Sequence, residues 1–372
     1  MRIGMLTFHP AFNYGAFLQT YSLYHVLKKM GQDVSIIDYR PDYLTRPYNL
    51  VTLPKYDSKK NILSNFYTLF GTLVVKLLNL RQSYHRRDYF NQSLNRYFQY
   101  SKKRNILSSK DLFKCESYDV YIAGSDQIWN PEITAGILDP AYFLSFANGK
   151  AKKSIYGASM KISTLPQEHL EDFKKYVQNL HYISLRECSA VSFVKEYSDA
   201  VCVLDPSLLL TNDEWSSFSI KPRIHPKKYL VSYYLGRDSS YIDKVKRIAQ
   251  NSGLEIVWIH TKSVFYGIPL WNSVRPEEFV WYFKHASAVV TDSFHGTLFS
   301  VIFHIPFYAV APYPQSVRIR DHLKRLGLES RFYLSVSDVP DTMTLIHYPD
   351  SDERLQKMRE SSINFLNHII ES

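Results

Sequence analysis

The alternation of apolar strands with amphipathic helices constrains this chain more than any other feature of its sequence. Arg2–Phe8 reads as a buried strand, Gly15–Met30 has the apolar spacing of a helix, and Asp33–Tyr39 reads as a second strand. Gly31 stands where the end of a helix favours glycine. A strand, a helix and a strand in this order form a βαβ unit, which predicts a parallel sheet.

The alternation continues along the chain after one interruption, a helical insertion at about 45–110. Further strands are predicted at Tyr118–Gly124, Lys153–Ser159, Tyr182–Arg186, Val201–Leu204, Tyr229–Gly236, Glu255–His260, Ser287–Asp292 and Pro306–Ala311. A length of 372 residues suits two domains. We therefore predict an N-terminal Rossmann-like domain over residues 1–210, a C-terminal one over residues 211–372, and a cleft between them. The last helix is a candidate to pack back on the first domain.

Polar motifs follow the predicted strands directly. They are HPAFNYGA, GSDQIWNP, the RE of SLRECS, and DSFHGT. Because doubly wound sheets bind ligands at the carboxyl ends of their strands, these motifs predict a site in the cleft.

The motif GSDQIWNP has the side chains that bind sugars. Asp126 and Gln127 can hydrogen-bond hydroxyl groups, and Trp129 can stack on a ring face. Asp126 could also act as a general base on an acceptor hydroxyl. The structural alternative is a polar turn with Trp129 in the core.

The loop HPAFNYGA leads into the start of a helix. Its Asn13 could help to bind an anion or a hydroxyl there, or could simply cap that helix.

Cationic residues stand at positions that suit an anionic ligand. Arg186 ends a strand and can bind a carboxylate or phosphate bidentately, unless it pairs with Glu187. His295 lies between a strand and a helix, where a structural role is the alternative. Arg318 and Arg320 open a basic helix that could close over a donor or could simply face solvent.

The basic excess leaves three classes of partner to consider. Lys+Arg number 45 against 35 Asp+Glu, a formal net charge of +10, which fits nucleic acid, an anionic membrane or an anionic substrate. Nucleic-acid binding is disfavoured, because no known nucleic-acid motif is present and the basic residues are dispersed. The apolar segment Ile62–Leu80 contains Lys76 and is not predicted to span a membrane. Together with the basic segment Arg81–Arg104 it could lie on an anionic membrane, but we favour a core-packing helix.

The cysteines and the N-terminus indicate a cytoplasmic protein. The chain has three cysteines, an odd number, at positions 115, 188 and 202, and their spacing is not that of a metal site. Neither a disulfide framework nor a zinc site is therefore predicted. The first residues do not have the pattern of a signal peptide. We expect no metal and no cofactor.

Taken together, the motifs resemble the polysaccharide pyruvyl transferase family. The resemblance lies in GMLTFHPAFNYGAFLQTYSLYHVLKKMGQDVSIIDYRP, YIAGSDQIWNP, SIYGAS, SLRE, VLDPSLLL with Trp215, and TDSFHGTLFS, and it extends from Arg2 to about Arg331. It implies an α/β, GT-B-like fold of two Rossmann-type doubly wound domains. It also implies transfer of an enolpyruvyl-derived group from phosphoenolpyruvate onto a sugar, which gives a cyclic pyruvate ketal and phosphate.

The motif match puts Arg186 and His295 on positions associated with donor binding and catalysis. Some members of the family have an arginine two residues before the histidine, where this chain has Ser293. Arg318 or Arg320 is our candidate to replace that arginine. We assign His295 as general acid and phosphate partner, Arg186 as donor clamp and Asp126 as acceptor-side base.

The remaining assignments divide the site between the two domains. The donor side includes Ser293, Gly296, Thr297, Arg318 and Arg320, and the acceptor side Asn13, Tyr14, Gly15, Gln127 and Trp129. The expected partners are phosphoenolpyruvate and a sugar acceptor whose carrier is open. A lipid-linked acceptor would bring the enzyme to the inner membrane face.

Three rival functions stay open at this stage. The first is a GT-B glycosyltransferase that uses a nucleotide sugar. The second is a non-catalytic carbohydrate-binding relative, which Ser293 favours and the retained Arg186 and His295 oppose. The third is a nucleic-acid binder, for which only the net charge speaks.

Overall fold

Two parallel sheets flanked by helices make up the described part of the chain, as the sequence predicts. The computed structural model describes residues 1–50, 61–78, 80–147, 149–160, 165–236, 238–260, 274–311 and 316–371. The strands are β1 Arg2–Leu6, β2 Asp33–Ile36, β3 Val120–Asp126, β4 Lys152–Ala158, β5 Tyr182–Leu185, β6 Val201–Cys202, β7 Tyr229–Tyr234, β8 Glu255–His260, β9 Ala288–Thr291, β10 Phe307–Val310 and β11 Phe332–Tyr333. The helices are α1 Tyr14–Lys29, α2 Asp42–Thr45, α3 Ile62–Leu78, α4 Leu80–Tyr97, α5 Leu170–Val177, α6 Cys188–Lys195, α7 Asn212–Phe218, α8 Ser239–Ser252, α9 Pro276–Lys284, α10 Phe294–Ile302, α11 Ser316–Leu326 and α12 Pro349–Glu371.

Both sheets have the same strand order. The first runs β2-β1-β3-β4-β5-β6 and the second β8-β7-β9-β10-β11, and every paired neighbour is parallel. In each sheet the direction of winding therefore reverses beside its first strand, between β1 and β3 and between β7 and β9. A doubly wound sheet opens a crevice at this reversal, at the carboxyl ends of the strands. The predicted boundary near residue 210 falls between the last strand of the first sheet and the first strand of the second.

Aromatic side chains join the two α/β units. Trp215 of α7 lies 5.7 Å from the ring of Tyr21 in α1 and 4.9 Å from that of Phe299 in α10. Tyr14 stacks on Phe279 of α9 at 4.6 Å. Buried aromatic pairs of this kind contribute area and about 0.5–1.5 kcal/mol each beyond it. Phe, Trp and Tyr make up 15% of the chain, and many of them thus lie in the core and between the domains.

Helix α12 crosses from the second unit to the first. Ser362 accepts a hydrogen bond from the backbone N–H of Leu204 at 2.9 Å, and Nε of Arg359 donates to the carbonyl of Leu208 at 2.8 Å. The ring of Phe365 lies 6.3 Å from that of Tyr156 in β4. Helix α12 therefore packs against the first sheet and the segment that follows its last strand.

The helical insertion differs from its prediction in two ways. Helix α4 ends at Tyr97, and the basic segment that follows pairs with the sheet edge, where N–H of Ile36 donates to the carbonyl of Gln99 at 2.8 Å. The favoured interpretation of α3 as a core-packing helix is wrong for its described side chains, since Phe66 and Phe70 are exposed. No helix among the described residues is long and apolar enough to cross a bilayer.

Cys188 and Cys202 form a disulfide, a bond that the sequence pattern, which disfavours a disulfide framework, does not predict. The two residues are 14 positions apart in sequence, at the start of α6 and in β6. Adjacent elements of a βαβ unit bring them within reach, and spacing alone does not reveal this contact. Cys115 has a free thiol.

Candidate functional site

Arg186, Asp205 and His295 form a buried charged cluster between the two sheets. Arg186 follows β5, Asp205 follows β6, and His295 lies in the first turn of α10 after β9. Nη1 of Arg186 donates to Oδ2 of Asp205 at 2.6 Å, and Nε2 of His295 lies 3.7 Å from the same oxygen. The first domain thus supplies the arginine and the carboxylate, and the second supplies the histidine.

Several polar atoms of this cluster lack hydrogen-bond partners within the described chain. They are Nε2 of His295, Nε and Nη2 of Arg186, and Oε2 of Glu187. Glu187 lies 3.6 Å from Nε of Arg186 and accepts a hydrogen bond from Ser159 on its other oxygen. Because buried polar groups in proteins are nearly always paired, this set of unpaired donors and one unpaired acceptor indicates a place where a polar ligand binds.

The charges of the cluster stabilise one another. Burial opposes the charge of Arg186, but Asp205 and Glu187 outweigh it and raise the pKa of the guanidinium. Burial would raise the pKa of Asp205, but His295 and Arg186 hold it below its usual range. Burial lowers the pKa of His295, although Asp205 opposes the shift. At neutral pH the site therefore presents an arginine cation, a carboxylate and a neutral imidazole.

Of the two candidate arginines in α11, Arg318 reaches the cluster and Arg320 does not. The guanidinium carbons of Arg318 and Arg186 lie 6.0 and 5.0 Å from the centre of the Phe294 ring. Burial and the like charge of Arg186 lower the pKa of Arg318. Arg320 points outward and pairs with Glu329 at 3.0 Å. This separation corrects the prediction that either could serve a donor, because side chains two residues apart on a helix point to different sides.

Asp126 ends β3 beside the cluster, and its charge acts on His295, Arg186 and Arg318. Its φ of 91° lies in a region that non-glycine residues rarely adopt. Its carboxylate accepts the N–H of Gln127 at 2.8 Å, and the Gln127 side chain accepts from Asn130. Backbone strain of this kind concentrates at functional sites, where it orients a side chain.

The start of α1 packs directly against His295. A methyl group at Gly15 would lie 2.2 Å from Nδ1 of His295, so only glycine allows this approach. Asn13 caps the helix through its side-chain oxygen, which accepts from N–H of Gly15 at 2.8 Å. The loop thus has the structural capping role and also defines one wall of the site.

Ser293, Gly296 and Thr297 shape the turn that carries His295. The Ser293 side chain accepts from N–H of Gly296 at 3.4 Å, and the Thr297 hydroxyl donates to the carbonyl of Ser293 at 3.1 Å. A methyl group at Gly296 would lie 2.3 Å from Oγ1 of Thr291. All three residues are buried, so the side chains of Ser293 and Thr297 hold the helix start rather than face the cleft.

Tyr14 and Trp129 do not fit the acceptor-binding roles that the sequence suggested. Trp129 is 1% exposed, and its ring stacks on Phe143 at 5.0 Å. Tyr14 is fully buried, and its hydroxyl donates to the carbonyl of Val274 at 2.8 Å. Both rings are packed in the core, Tyr14 against Phe279 and Trp129 against Phe143, so the structural alternative holds for Trp129 and neither ring is available to a sugar.

A cavity of about 440 Å³ opens beside Asn13 and extends to the second domain at Leu235. Its wall is formed by Phe12, Asn13, Pro47, Tyr48, Asn49, Leu50, Ser83, Arg86, Arg87 and Leu235. Nε of Arg86 donates to the carbonyl of Phe12 at 2.9 Å, and its Nη2 has no partner in the described residues. The charge of Asp126 acts on Tyr48, which places that carboxylate near the cavity.

Sequence reasoning missed Asp205, Glu187, Arg86 and Tyr48. Asp205 directly follows the predicted strand Val201–Leu204, as the selected motifs follow theirs, so the same signal could have identified it. Arg86 and Tyr48 belong to the insertion. No strand ends directly before either of them, and only the fold brings them to the site.

The chain belongs to the polysaccharide pyruvyl transferase family, whose model matches residues 13–313. This range includes Arg186, Asp205 and His295. No curated protein matches the chain.

Solved structures with a similar course of the chain are remote. Spinosyn rhamnosyltransferase SpnG complexed with thymidine diphosphate is 10% identical, with a TM-score of 0.42 over 100% of this chain and 96% of its own. A putative UDP-N-acetylglucosamine 2-epimerase from Listeria monocytogenes is 10% identical, with a TM-score of 0.47 over 98% and 88%. The Neisseria meningitidis UDP-GlcNAc 2-epimerase bound to UDP-GlcNAc is 9% identical, with a TM-score of 0.44 over 99% and 100%.

Proposed function

We propose that this protein transfers a pyruvyl group from phosphoenolpyruvate to a sugar of a cell-surface polysaccharide or its precursor, forming a pyruvate ketal and releasing phosphate. The observation that carries the proposal is the set of open donors on Arg186 and His295, with Arg318 beside them. The donor has a phosphate and a carboxylate, and two arginines and a histidine match these two anionic groups. Membership of the family supports the same reaction.

The buried histidine would gain its proton when the donor binds. Burial lowers the pKa of His295 in the free protein, and a neighbouring phosphate would raise it. Protonated His295 then delivers this proton to C3 of the enol, which gives an oxocarbenium-like centre at C2. Asp205 acts as a positioning residue here, because its carboxylate holds Arg186 and stabilises the imidazolium.

Two hydroxyls of the acceptor add to C2 in turn. The first forms a C–O bond and loses its proton to Asp126. The C2–O bond to phosphate then breaks, the second hydroxyl adds, and its proton leaves with the phosphate. The proton that Asp126 takes up restores the one that His295 gave to C3. The cavity beside Asn13 and Tyr48 would hold the sugar next to these groups.

The direct test measures phosphate release from phosphoenolpyruvate with free, nucleotide-linked and lipid-linked sugars as acceptors. We expect release only when an acceptor is present, with a new ketal methyl signal by NMR. Release of a nucleotide from a UDP- or GDP-sugar, with no effect of phosphoenolpyruvate on thermal unfolding, would instead support the glycosyltransferase. Sugar binding with no turnover of any donor would support a non-catalytic relative.

Arg318 and Arg320 provide a matched pair of variants for this test. Arg318→Ala should weaken phosphoenolpyruvate binding by about 10- to 100-fold, the value of one charge-assisted contact. Arg320→Ala removes the same charge from the same helix but from the outer face, and should leave binding within about twofold. Equal losses in both variants would mean that only net charge matters, and the proposed donor site would be wrong.

A further inference from the structure

Helix α3 presents a continuous apolar face to the surroundings. Leu63, Phe66, Phe70 and Leu77 are 66%, 59%, 57% and 61% exposed. They are spaced three, four and seven residues apart, so they lie on one side of the helix. Contiguous exposed apolar surface on a folded protein marks an interaction site.

The shape of this surface suits a bilayer interface. Helix α3 has 17 residues, and at 1.5 Å per residue it is about 25 Å long. Within the described chain no helix qualifies to cross a membrane. A helix with aromatic residues on one face and cations nearby lies in the plane of the headgroups instead.

Helix α4, which follows the apolar helix, contains four arginines and one acidic residue. Arg81 and Arg87 are exposed on α4, which follows α3 directly. The segment from residue 62 to residue 104 contains a single acidic residue, Asp88. Such a surface is complementary to anionic lipid, where each basic residue strengthens binding about fivefold.

We propose that the apolar face of α3 docks on an anionic bilayer, with Arg81 and Arg87 contacting lipid headgroups. A second copy of the chain is the less favoured occupant, because it would bring two basic α4 helices together. Anionic lipid removes that repulsion and covers the apolar side chains at the same time.

The docked surface would lie next to the candidate acceptor cavity. Ser83, Arg86 and Arg87 of α4 line that cavity. A bilayer against α3 would therefore hold the cavity near the headgroups, where a lipid-linked sugar is found. The proposal concerns location, goes beyond the transfer reaction, and stands or falls independently of the donor.

The test is co-sedimentation of the full chain with vesicles of phosphatidylcholine alone or with 30% phosphatidylglycerol, a composition of about one anionic lipid in three. We expect binding at least tenfold stronger to the anionic vesicles, and weaker binding at high salt. Replacing Phe66, Phe70 and Leu77 together by Ser should reduce it at least tenfold, as should Arg81→Glu with Arg87→Glu. Because these side chains are exposed, the variants should keep the wild-type melting temperature.

A matched control removes exposed apolar side chains elsewhere. Ile224 and Leu345 are 72% and 86% exposed, and their joint replacement by Ser should leave vesicle binding unchanged. No wild-type binding to either vesicle, or equal binding by the triple serine variant, would overturn the proposal. A dimer seen by light scattering that the triple variant abolishes, without vesicle binding, would assign the face to a second copy.

Discussion

Two buried clusters in this protein combine a histidine, an aspartate and arginines, and they differ in how completely they are bonded. In the first, Nε2 of His9 lies 3.1 Å from Oδ1 of Asp38, which also accepts from Arg40 at 2.7 Å. In the second, His295 lies 3.7 Å from Asp205, which accepts from Arg186 at 2.6 Å. Both clusters follow strand ends, so residue type and location alone do not separate them.

Saturation of the carboxylate separates the two clusters. The second oxygen of Asp38 accepts from Nε of Arg104 and from N–H of Asn105, so both of its oxygens are bonded twice. Nδ1 of His9 also lacks a described partner, but its side chain is 0% exposed, against 12% for His295. The Asp38 carboxylate of the first cluster, here called the closed cluster, has all its bonds within the fold. The second, here called the open cluster, keeps unpaired polar atoms on Arg186, Glu187 and His295 among the described residues.

The largest expected effect is the loss of activity on removing the histidine of the open cluster. His295→Ala should reduce phosphate release by 10²–10⁴-fold, the typical contribution of one general acid, with little change in stability. His9→Gln is the matched control, because its amide can still donate to Asp38, and it should keep turnover per folded molecule within about threefold. Near-wild-type turnover of His295→Ala would remove the distinction between the two clusters.

Disrupting the closed cluster should instead lower the free energy of unfolding. Asp38→Asn leaves His9 and two arginines without their shared anion, which typically costs 3–5 kcal/mol for a buried pair. Because Arg104 is 43% exposed and can be solvated, we expect about 3 kcal/mol. Urea unfolding measures this loss, and turnover per folded molecule should be unchanged. A stable but inactive variant would show that the closed cluster is catalytic.

Acid should weaken the closed cluster in the wild type. His9, Arg104 and Arg40 hold the pKa of Asp38 below its usual range, although burial opposes them. A carboxylate with a depressed pKa stabilises the folded state above its unfolded pKa of about 4, and this stability is lost as the pH falls. The unfolding free energy of Asp38→Asn should therefore fall less than that of the wild type below about pH 4.

The two clusters also show which features of the fold and the site can be predicted from the sequence. The order of strands, helices and polar motifs predicts two parallel sheets, because periodicity and strand-end position are local properties. It also brings Arg186, His295 and Asp126 to one edge. It cannot tell an open cluster from a closed one, since that depends on bonds such as Arg104 to Asp38 across 66 positions of sequence.

The direction in which a side chain points is the second property that the sequence pattern does not predict. Trp129 and the neighbouring Asp126 come from one motif, yet the tryptophan packs on Phe143 and the charge of the aspartate acts on His295. The exposed Phe66 and the buried Phe90 both lie in helical apolar patterns. Only the position of each helix on the folded body decides which face is covered.

A smaller effect should follow from a larger side chain at Gly15, where the first domain packs against His295 of the second. A methyl group at Gly15 would lie 2.2 Å from the His295 ring, so Gly15→Ala must displace the imidazole. Overpacking costs about 1–3 kcal/mol, and a small misplacement of a catalytic group lowers turnover by up to about 100-fold. We expect a 10- to 100-fold loss of kcat. Gly71→Ala is the control, because no described atom outside the backbone of its own helix lies within 4 Å of the added methyl group, and it should leave kcat unchanged.

The smallest expected effect is the coupling of donor affinity to pH. Burial keeps the pKa of His295 below 6.5 in the free protein, and the bound donor would raise it. Between the free and the bound pKa values, donor binding takes up one proton, so Kd should rise up to tenfold for each unit that the pH rises. Calorimetric titration of phosphoenolpyruvate from about pH 6 to 8 measures this slope.

The donor phosphate titrates in the same range, so the slope needs a reference. His295→Gln keeps a neutral polar side chain and the same donor, and the ratio of the wild-type and variant Kd values cancels the titration of the donor itself. We expect that ratio to rise with pH, because only the wild type can bind the extra proton. A flat ratio would mean that His295 stays neutral in the complex, and the general acid would then have to be another group. In that case the open cluster would still bind the donor but would not protonate it.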